Sequence, residues 1–326
     1  MTNGTRPTMA DVARIAGVSP ALVSIVMRGV PGASESSRTR IKSIADSIGY
    51  IPDRRAQKLR QTTSRLLGVT YDLQEPFHGD LVEQIYAAAD LHGYDVMLSA
   101  TAPSRDEDAA VRSLIRERCE GTILLGSNFE SDYVAALGSS VPTVTLMRRS
   151  GVDGVGSVRS DDVAGVGLAV DHLVQRGHRR IAHIDGSRAP GAEDRRHGFR
   201  DAMARHGLSG SALLAAGGTT ETDGAKATER LMRSEPPSAI IAFNDRCATG
   251  VLDYLVRTSV SVPETVAVVG YDDSRLASIA HVHLTSIAQD ATALAEAAVE
   301  TALAQISGAD ARETVLTPKL VRRSTT

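Results

Sequence analysis

The chain has 326 residues, enough for two or three domains with buried cores, and 42% hydrophobic with 23% charged residues is an ordinary balance for a soluble globular protein. No stretch approaches the roughly 18 to 20 apolar residues of a membrane span, and residues 1–7 lack the apolar segment of a secretion signal. Membrane and exported proteins are thereby disfavoured, and a cytoplasmic location is expected. The net charge of −3 is split unevenly: residues 1–60 hold ten Lys/Arg against four Asp/Glu, a charge of +6, and the remaining 266 carry −9. That split suits a small head that meets a polyanion and a body that does not.

Thr8 is a good N-cap with Asp11 three residues on, in a capping-box position, and a first helix over 10–16 puts Val12, Ile15 and Ala16 on one face. Gly17 can take the left-handed conformation that ends a helix, and Val18 can plug the angle to the next. Ser19 can cap that next helix, and Pro20 suits its first position, where a missing N–H costs nothing. The second helix, Pro20 to Met27, buries Leu22, Val23 and Val26; a third, about 35–48, turns Ile41, Ile44, Ala45 and Ile48 inward. Two helices joined by a tight Gly-containing turn form a helix-turn-helix unit, against the plain alternative of a three-helix bundle with no DNA role. Residues 53–60 can form two helical turns with Asp53 as N-cap. So short a basic helix is unstable alone in water, and a charged unstructured linker is the competing reading.

From Leu66 strands alternate with helices. The first run has strands at 66–71, 94–98, 121–125 and 143–147, with helices at 81–91 and 107–118. A second run follows Asp161, with helices at 162–176, 194–206 and 246–257 and strands at 180–184, 238–243 and 266–269. Short strands separated by longer helices indicate parallel sheets covered on both faces. Two such runs indicate an α/β body of two doubly wound lobes, with a ligand beyond the carboxyl ends of the strands. Selected polar residues stand at those ends: Asn244-Asp245, Asp272-Asp273, Gln289-Asp290, Arg188 in the loop after Ile184, and Arg195 near a helix start. Carboxylates, amides and arginines converging on a cleft suit a hydroxyl-rich small molecule. Some of them can instead be helix caps. Asp245 and Asp273 are expected as caps, and Arg188, Arg195, Asn244, Asp272 and Gln289 as effector contacts.

The run from Thr8 through Ala10-Asp11-Val12-Ala13 and Ala16-Gly17-Val18-Ser19 to Ser24, followed by Ser37-Arg38-Thr39-Arg40-Ile41-Lys42 and Gly49-Tyr50-Ile51-Pro52-Asp53, resembles the lactose-repressor/galactose-repressor (LacI) family. The resemblance extends nearly end to end. It implies an all-α helix-turn-helix head at 1–52, a hinge helix at 53–63 and a periplasmic-binding-protein-like body at 64–326. Lobe one of that body would take about 64–160 and 291–318, and lobe two about 161–290 and 319–326. The second helix would then lie in the major groove, with Pro20, Ala21 and Ile25 toward base edges and Ser24 toward the backbone; Thr8 and Arg28 complete the DNA-facing set of the head. Ile25 stands where many members carry Arg, and Arg28 where they commonly carry Asn. An apolar Ile25 can touch a thymine methyl but cannot fork onto guanine. In the hinge, Leu59 would wedge into a base step of the minor groove, Ala56 would allow close approach, and Arg55 would lie beside them.

By the same resemblance Arg195-Arg196-His197-Gly198-Phe199, Ala242-Phe243-Asn244-Asp245, Val269-Gly270-Tyr271-Asp272-Asp273 and Ile287-Ala288-Gln289-Asp290 match effector-cleft motifs, and Phe77 matches the aromatic at the mouth of lobe one. Met147-Arg148 departs from the common Asp-Arg, so one hydroxyl acceptor of lobe one is missing. The implied partners are double-stranded operator DNA and a sugar or polyol effector held between the lobes. With no heptad tail after Thr326, the implied assembly is a homodimer.

Enzyme motifs are missing: the chain has no HExxH, no GxSxG and no GxxxxGK[ST], and its Gly-rich stretches at 151–156 and 165–167 do not fit GxGxxG after a strand. Neither an enzyme nor a cofactor is expected. His281 and His283 alternate as a metal pair would but lack a third ligand, so no metal site is expected. Cys119 and Cys247 belong to no CxxC and read as buried thiols. The rival class is a solute-binding protein for a sugar, which shares the two-lobed body; the basic helical head argues against it.

Overall fold

The computed structural model of the chain describes residues 7–27, 29–50, 63–234 and 236–326. It divides into two compact units, Met1–Ser64 and Arg65–Thr326.

In the first unit α1 (Met9–Ala16), α2 (Pro20–Met27) and α3 (Glu35–Ser47) share one core of Val12, Ala16, Val23, Val26, Ile41 and Ala45. The capping box closes: the Thr8 backbone N–H donates to Asp11 Oδ2 at 3.0 Å, and the Asp11 N–H donates to Thr8 Oγ1 at 3.3 Å. Gly17 ends α1 at φ 65°, a conformation any side chain would strain, and Ser19 Oγ accepts from the Leu22 N–H at 3.2 Å. Ile15, expected inward, is 48% exposed. The buried stripe of α1 is Val12, Ala13 and Ala16, and at about 100° per residue Ile15 falls roughly 100° from its centre.

The second unit holds two six-stranded sheets. The first contains β1 (Leu66–Asp72), β2 (Asp95–Thr101), β3 (Gly121–Leu125), β4 (Thr143–Leu146), β5 (Gly156–Ser160) and β11 (Glu313–Leu316) in the order β11-β5-β4-β3-β1-β2. The second contains β6 (Ile181–Ile184), β7 (Ala212–Ala215), β8 (Ala239–Ile241), β9 (Ala267–Asp272), β10 (Thr285–Ala288) and β12 (Lys319–Val321) in the order β12-β10-β9-β8-β6-β7. Every pairing is parallel except β10 with β12. Both sheets are doubly wound, with the strand order reversing between β1 and β3 in one and between β6 and β8 in the other; those switch points are where such sheets bind ligands.

Helices α4 (Pro76–Leu91), α5 (Glu107–Arg116) and α6 (Ser131–Gly138) cover the first sheet together with α12 (Ala291–Ile306), whose Leu294, Ala298 and Val299 are buried against Leu67, Ile123 and Val144. Helices α7 (Asp162–Gln175), α8 (Ala192–Arg205), α9 (Glu221–Ser234) and α10 (Asp245–Arg257), with the single turn α11 (Arg275–Ser278), cover the second. The chain therefore passes between the lobes three times, after β5, after β10 and after β11.

Candidate functional site

Between the carboxyl ends of the two sheets lies a cavity with about 760 Å³ of empty space, open mouth included. Both switch points border it. Lobe one contributes Asp72 at the end of β1, Glu75 and His78 at the start of α4, Gly126 after β3 and Met147 after β4. Lobe two contributes Ala189 and Pro190 after β6, Phe243 and Asn244 after β8, Arg195 from α8 and Asp272 at the end of β9.

The lobe-two groups are buried and braced. Arg195 is 3% exposed; its Nε donates to Asp162 Oδ1 at 2.8 Å and its Nη1 to the Phe243 carbonyl at 2.5 Å. Its guanidinium lies over the Tyr271 and Phe243 rings, 3.6 and 4.5 Å from their centroids, and Nη2 is 4.0 Å from Asp272 Oδ1. Gln289 Nε2 donates to the same Oδ1 at 2.7 Å, so the other carboxylate oxygen of Asp272 has no donor among the described residues. Burial raises the Asp272 pKa well above the ordinary carboxylate value despite Arg195, and its backbone sits at φ 104°, a strained conformation for a non-glycine residue. Asn244 caps α10: Oδ1 accepts from the Cys247 N–H at 2.8 Å, while Nδ2 reaches across the cleft to both oxygens of Glu75 at 3.3 Å.

Of the lobe-one carboxyl groups, Asp72 and Glu75 are less tightly held than Glu107. Asp72 is exposed. Glu75 occupies the N-cap of α4 but makes no side-chain bond to that helix; its carboxylate goes to Asn244 instead, and burial raises its pKa to about 7. Glu107 accepts from Ser127 Oγ at 3.0 Å and the Asn128 N–H at 2.9 Å. Burial lowers His78 to about 4, so it is neutral at pH 7; its Nδ1 accepts from the Asp72 N–H at 3.0 Å, which places its proton on Nε2. A side chain at Gly126 would put Cβ 2.7 Å from the His78 ring. Outside the cavity a second bridge joins the lobes, where Arg275 of α11 pairs with Glu83 and, at 2.7 Å, with Asp80, both of α4.

Arg195, Asn244 and Asp272 line the cavity, and Gln289 stands behind Asp272 and orients it. Arg188 is exposed in the loop after β6 and is not on the lining; the neighbouring Ala189 and Pro190 are. Phe77 is 2% exposed in the lobe-one core with Leu81 and Ile85, not at the mouth. The reason is the start of α4 at Pro76, which sets Phe77 one turn before Leu81 on the inward face. Asp245 and Asp273 are not caps. Asp245 accepts from the Ser274 N–H and Oγ and from Ser286 Oγ, at 2.7, 2.9 and 2.6 Å, while Asn244 caps the helix. Asp273 pairs with Arg323 at 2.6 Å, and Ser274 holds the N-cap position of α11. Sequence reasoning missed Asp72, Glu75, His78 and Glu107, although the rule about strand ends, applied to lobe one as it was to lobe two, points to Asp72.

In the head Thr8, Pro20 and Ala21 are exposed, and Ser24 and Ile25 are half-buried on α2, with the Ile25 side chain beside Gly32. Arg28, Arg55, Ala56 and Leu59 lie outside the described residues. Among the described residues no three His, Cys, Asp or Glu side chains group as a metal site, and no single helix is long and apolar enough to cross a membrane. Cys119 and Cys247 are both buried and unbridged.

Residues 8–53 match the family described as bacterial regulatory proteins, lacI family, and residues 170–326 match the periplasmic binding protein-like domain. The chain is 32% identical to the HTH-type transcriptional regulator GalR of Escherichia coli K12 over 325 residues, 97% of this chain and 94% of that protein. Among solved structures it is similar to a LacI transcriptional regulator from a Rhodococcus species, 63% identical with a TM-score of 0.79, covering 80% of this chain and 98% of that one. It is also similar to the lac repressor dimer bound to operator and the anti-inducer ONPF, 27% identical with a TM-score of 0.83, covering 99% of each. The helical head, the paired doubly wound lobes and these likenesses agree: the chain belongs to the lacI family of bacterial regulatory proteins and is a DNA-binding transcriptional regulator.

Proposed function

We propose that the chain is a cytoplasmic, non-enzymatic repressor of a carbohydrate-utilisation operon. In this reading a homodimer places its heads on double-stranded operator DNA, and a sugar or polyol in the cleft switches that binding. The observation that carries the reading is the cavity bordered by both lobes, with Arg195, Asn244 and Asp272 on one side and Asp72 and Glu75 on the other. A ligand that bonds both lobes favours one angle between them over another, and that difference in affinity is the whole of its effect. The mixture of fixed donors and acceptors suits hydroxyl groups. The lac repressor dimer to which the chain is similar carries operator and ONPF at once.

On the DNA side Pro20, Ala21 and Ile25 would meet base edges and Ser24 the backbone, with Thr8 and Arg28 flanking them. Arg55, Ala56 and Leu59 would enter the minor groove. The test is operator affinity at fixed salt, on DNA from the chain's own promoter, with and without a panel of sugars and polyols. A ligand that the cleft binds should change operator affinity about fivefold or more. Leu59→Ala should cost a few kcal/mol of specific affinity and leave non-specific binding unchanged, because the latter rests on phosphate contacts. Operator affinity that stays constant at saturating cleft ligand rejects the switch.

A further inference from the structure

Three observations on the cleft concern charge. Among the described residues four carboxyl groups line it, those of Asp72, Glu75, Glu107 and Asp272, and the one lining guanidinium, Arg195, is already bonded to Asp162 at 2.8 Å and lies 4.0 Å from Asp272; Arg246, whose charge also acts on Glu75, is paired with Glu221 at 2.9 Å. His78, the lining imidazole, is neutral at pH 7. Glu75 stands at a helix N-cap and makes no side-chain bond to that helix. Its carboxylate takes one amide, Asn244 Nδ2, across the cleft, with 3.3 Å to each oxygen, and no other donor among the described residues. One long, shared amide contact leaves most of the acceptor capacity of a largely buried carboxylate unused, and that capacity faces the place where a ligand would sit. Asp272, from the opposite lobe, likewise has one oxygen without a donor among the described residues.

We infer that Glu75 is an effector contact and that the cleft selects hydroxylated ligands that are neutral or carry an amine, excluding those that carry a phosphate or carboxylate. This inference rests on the cleft being the effector site. A ligand hydroxyl or ammonium placed between Glu75 and Asp272 supplies the donors both carboxylates lack, replaces the Asn244 contact on Glu75, and bonds the two lobes through itself. The anionic group of a phosphate or carboxylate adds negative charge to a lining of four carboxyl groups, and unlike a hydroxyl or ammonium that group has no donor to offer Glu75.

The experiment is titration calorimetry on the full chain at pH 7 with matched sets built on glucose, galactose and ribose: the neutral sugar, its amino derivative, its phosphate and its aldonic acid. The wild type is compared with Glu75→Gln and Asp272→Asn, and each variant's fold is checked by circular dichroism. In the best-binding set the neutral and amino members should bind at least tenfold tighter than the phosphate and the acid, which corresponds to about 1.4 kcal/mol. Glu75→Gln should narrow that ratio at least fivefold, and Asp272→Asn should weaken every member tenfold or more. A phosphate or acid that binds as tightly as its neutral parent overturns the inference. So does a ratio in Glu75→Gln within twofold of wild type while Asp272→Asn still loses binding, and in that case the cleft remains the effector site. Wild-type affinity in Asp272→Asn, or no binding by any member, overturns the cleft reading itself and the inference with it.

Discussion

The two lobes have the same strand order but meet the cavity differently. Lobe two presents groups that the protein has already bonded: Arg195 to Asp162 and the Phe243 carbonyl, Asp272 to Gln289, and Asn244 to the start of its own helix. Lobe one presents an exposed Asp72, a Glu75 turned away from its helix, and Met147 at φ 69°. Lobe two is therefore a preorganised half, in which side-chain order has been settled during folding and little remains to be lost on binding. Lobe one is an adaptable half, in which sequence changes alter what is bound without disturbing the core. The lesson concerns energy: the same residue type in the two halves does different work because its neighbours differ.

The largest test of this contrast is Arg195→Ala beside Asp72→Ala. Removing Arg195 leaves Asp162 buried without its partner, which should cost about 3–5 kcal/mol in denaturant unfolding and abolish effector binding. Removing Asp72, which is exposed, should change stability by less than about 0.5 kcal/mol while still altering ligand affinity. Equal stability losses would end the distinction between the halves.

A middle-sized effect comes from Glu75. Burial raises its pKa from 4.5 to about 7, so the folded state holds the proton more tightly. Its contribution to stability is full below about pH 4.5 and is lost as pH rises to about 7. Glu75→Gln removes this dependence. Urea unfolding of the two proteins at pH 5 and pH 8 should thus show a stability difference that shifts by up to about 3 kcal/mol, with the wild type relatively weaker at the higher pH. His78 and His183, both lowered to about 4 by burial, act in the opposite sense as pH falls below 6.5. They are present in both proteins and cancel in the difference. A pH-independent difference would mean that the Glu75 carboxylate is better solvated than its surroundings indicate.

The smallest effect is expected from Met147→Asp. Asp tolerates a left-handed backbone better than Met does, so stability should move by less than about 1 kcal/mol. The new acceptor on lobe one should reorder the sugar panel toward ligands with an additional hydroxyl. An unchanged order, measured by thermal shift, would show that the ligand does not approach this side of the cleft.

Much of the fold was legible in the sequence because its signals are local. Thr8 with Asp11, Gly17 and Ser19 with Pro20 fix the turn of the head without help from distant residues, and β3 is an apolar run of strand length that begins at a glycine. What escaped lacks a local signal. Strand β5, Gly-Ser-Val-Arg-Ser, has one large apolar residue, and its buried Arg159 is satisfied by Glu313, 154 residues away in sequence. Helix α9 is rich in charged and small residues, and its glycine, Gly224, lies against α10, so its place depends on a partner helix. In the cleft, the residue types at the ends of β8 and β9 stood out, whereas the resemblance set Phe77 at the mouth of lobe one and the start of α4 at Pro76 turns it into the core. Glu75 was invisible for a related reason: with the helix expected from Leu81 it fell in a loop with no assigned role, and only the tertiary structure brings it to Asn244.

The threefold passage of the chain between the lobes has a consequence for synthesis. When residue 290 has left the ribosome, lobe one still lacks α12 and β11, and lobe two still lacks β12 and the bond from Thr325 to the Val268 carbonyl. The edge of β5 that β11 will cover is bare, Arg159 has no Glu313, and the core side of Ile123 and Val144 waits for Leu294 and Val299. At about 5–20 residues per second, residues 291–326 take roughly 2–7 seconds to appear. Both lobes are finished by the same late stretch of polypeptide, so the nascent body carries an open strand edge and an uncovered apolar face from the completion of β5 until α12 and β11 have been made.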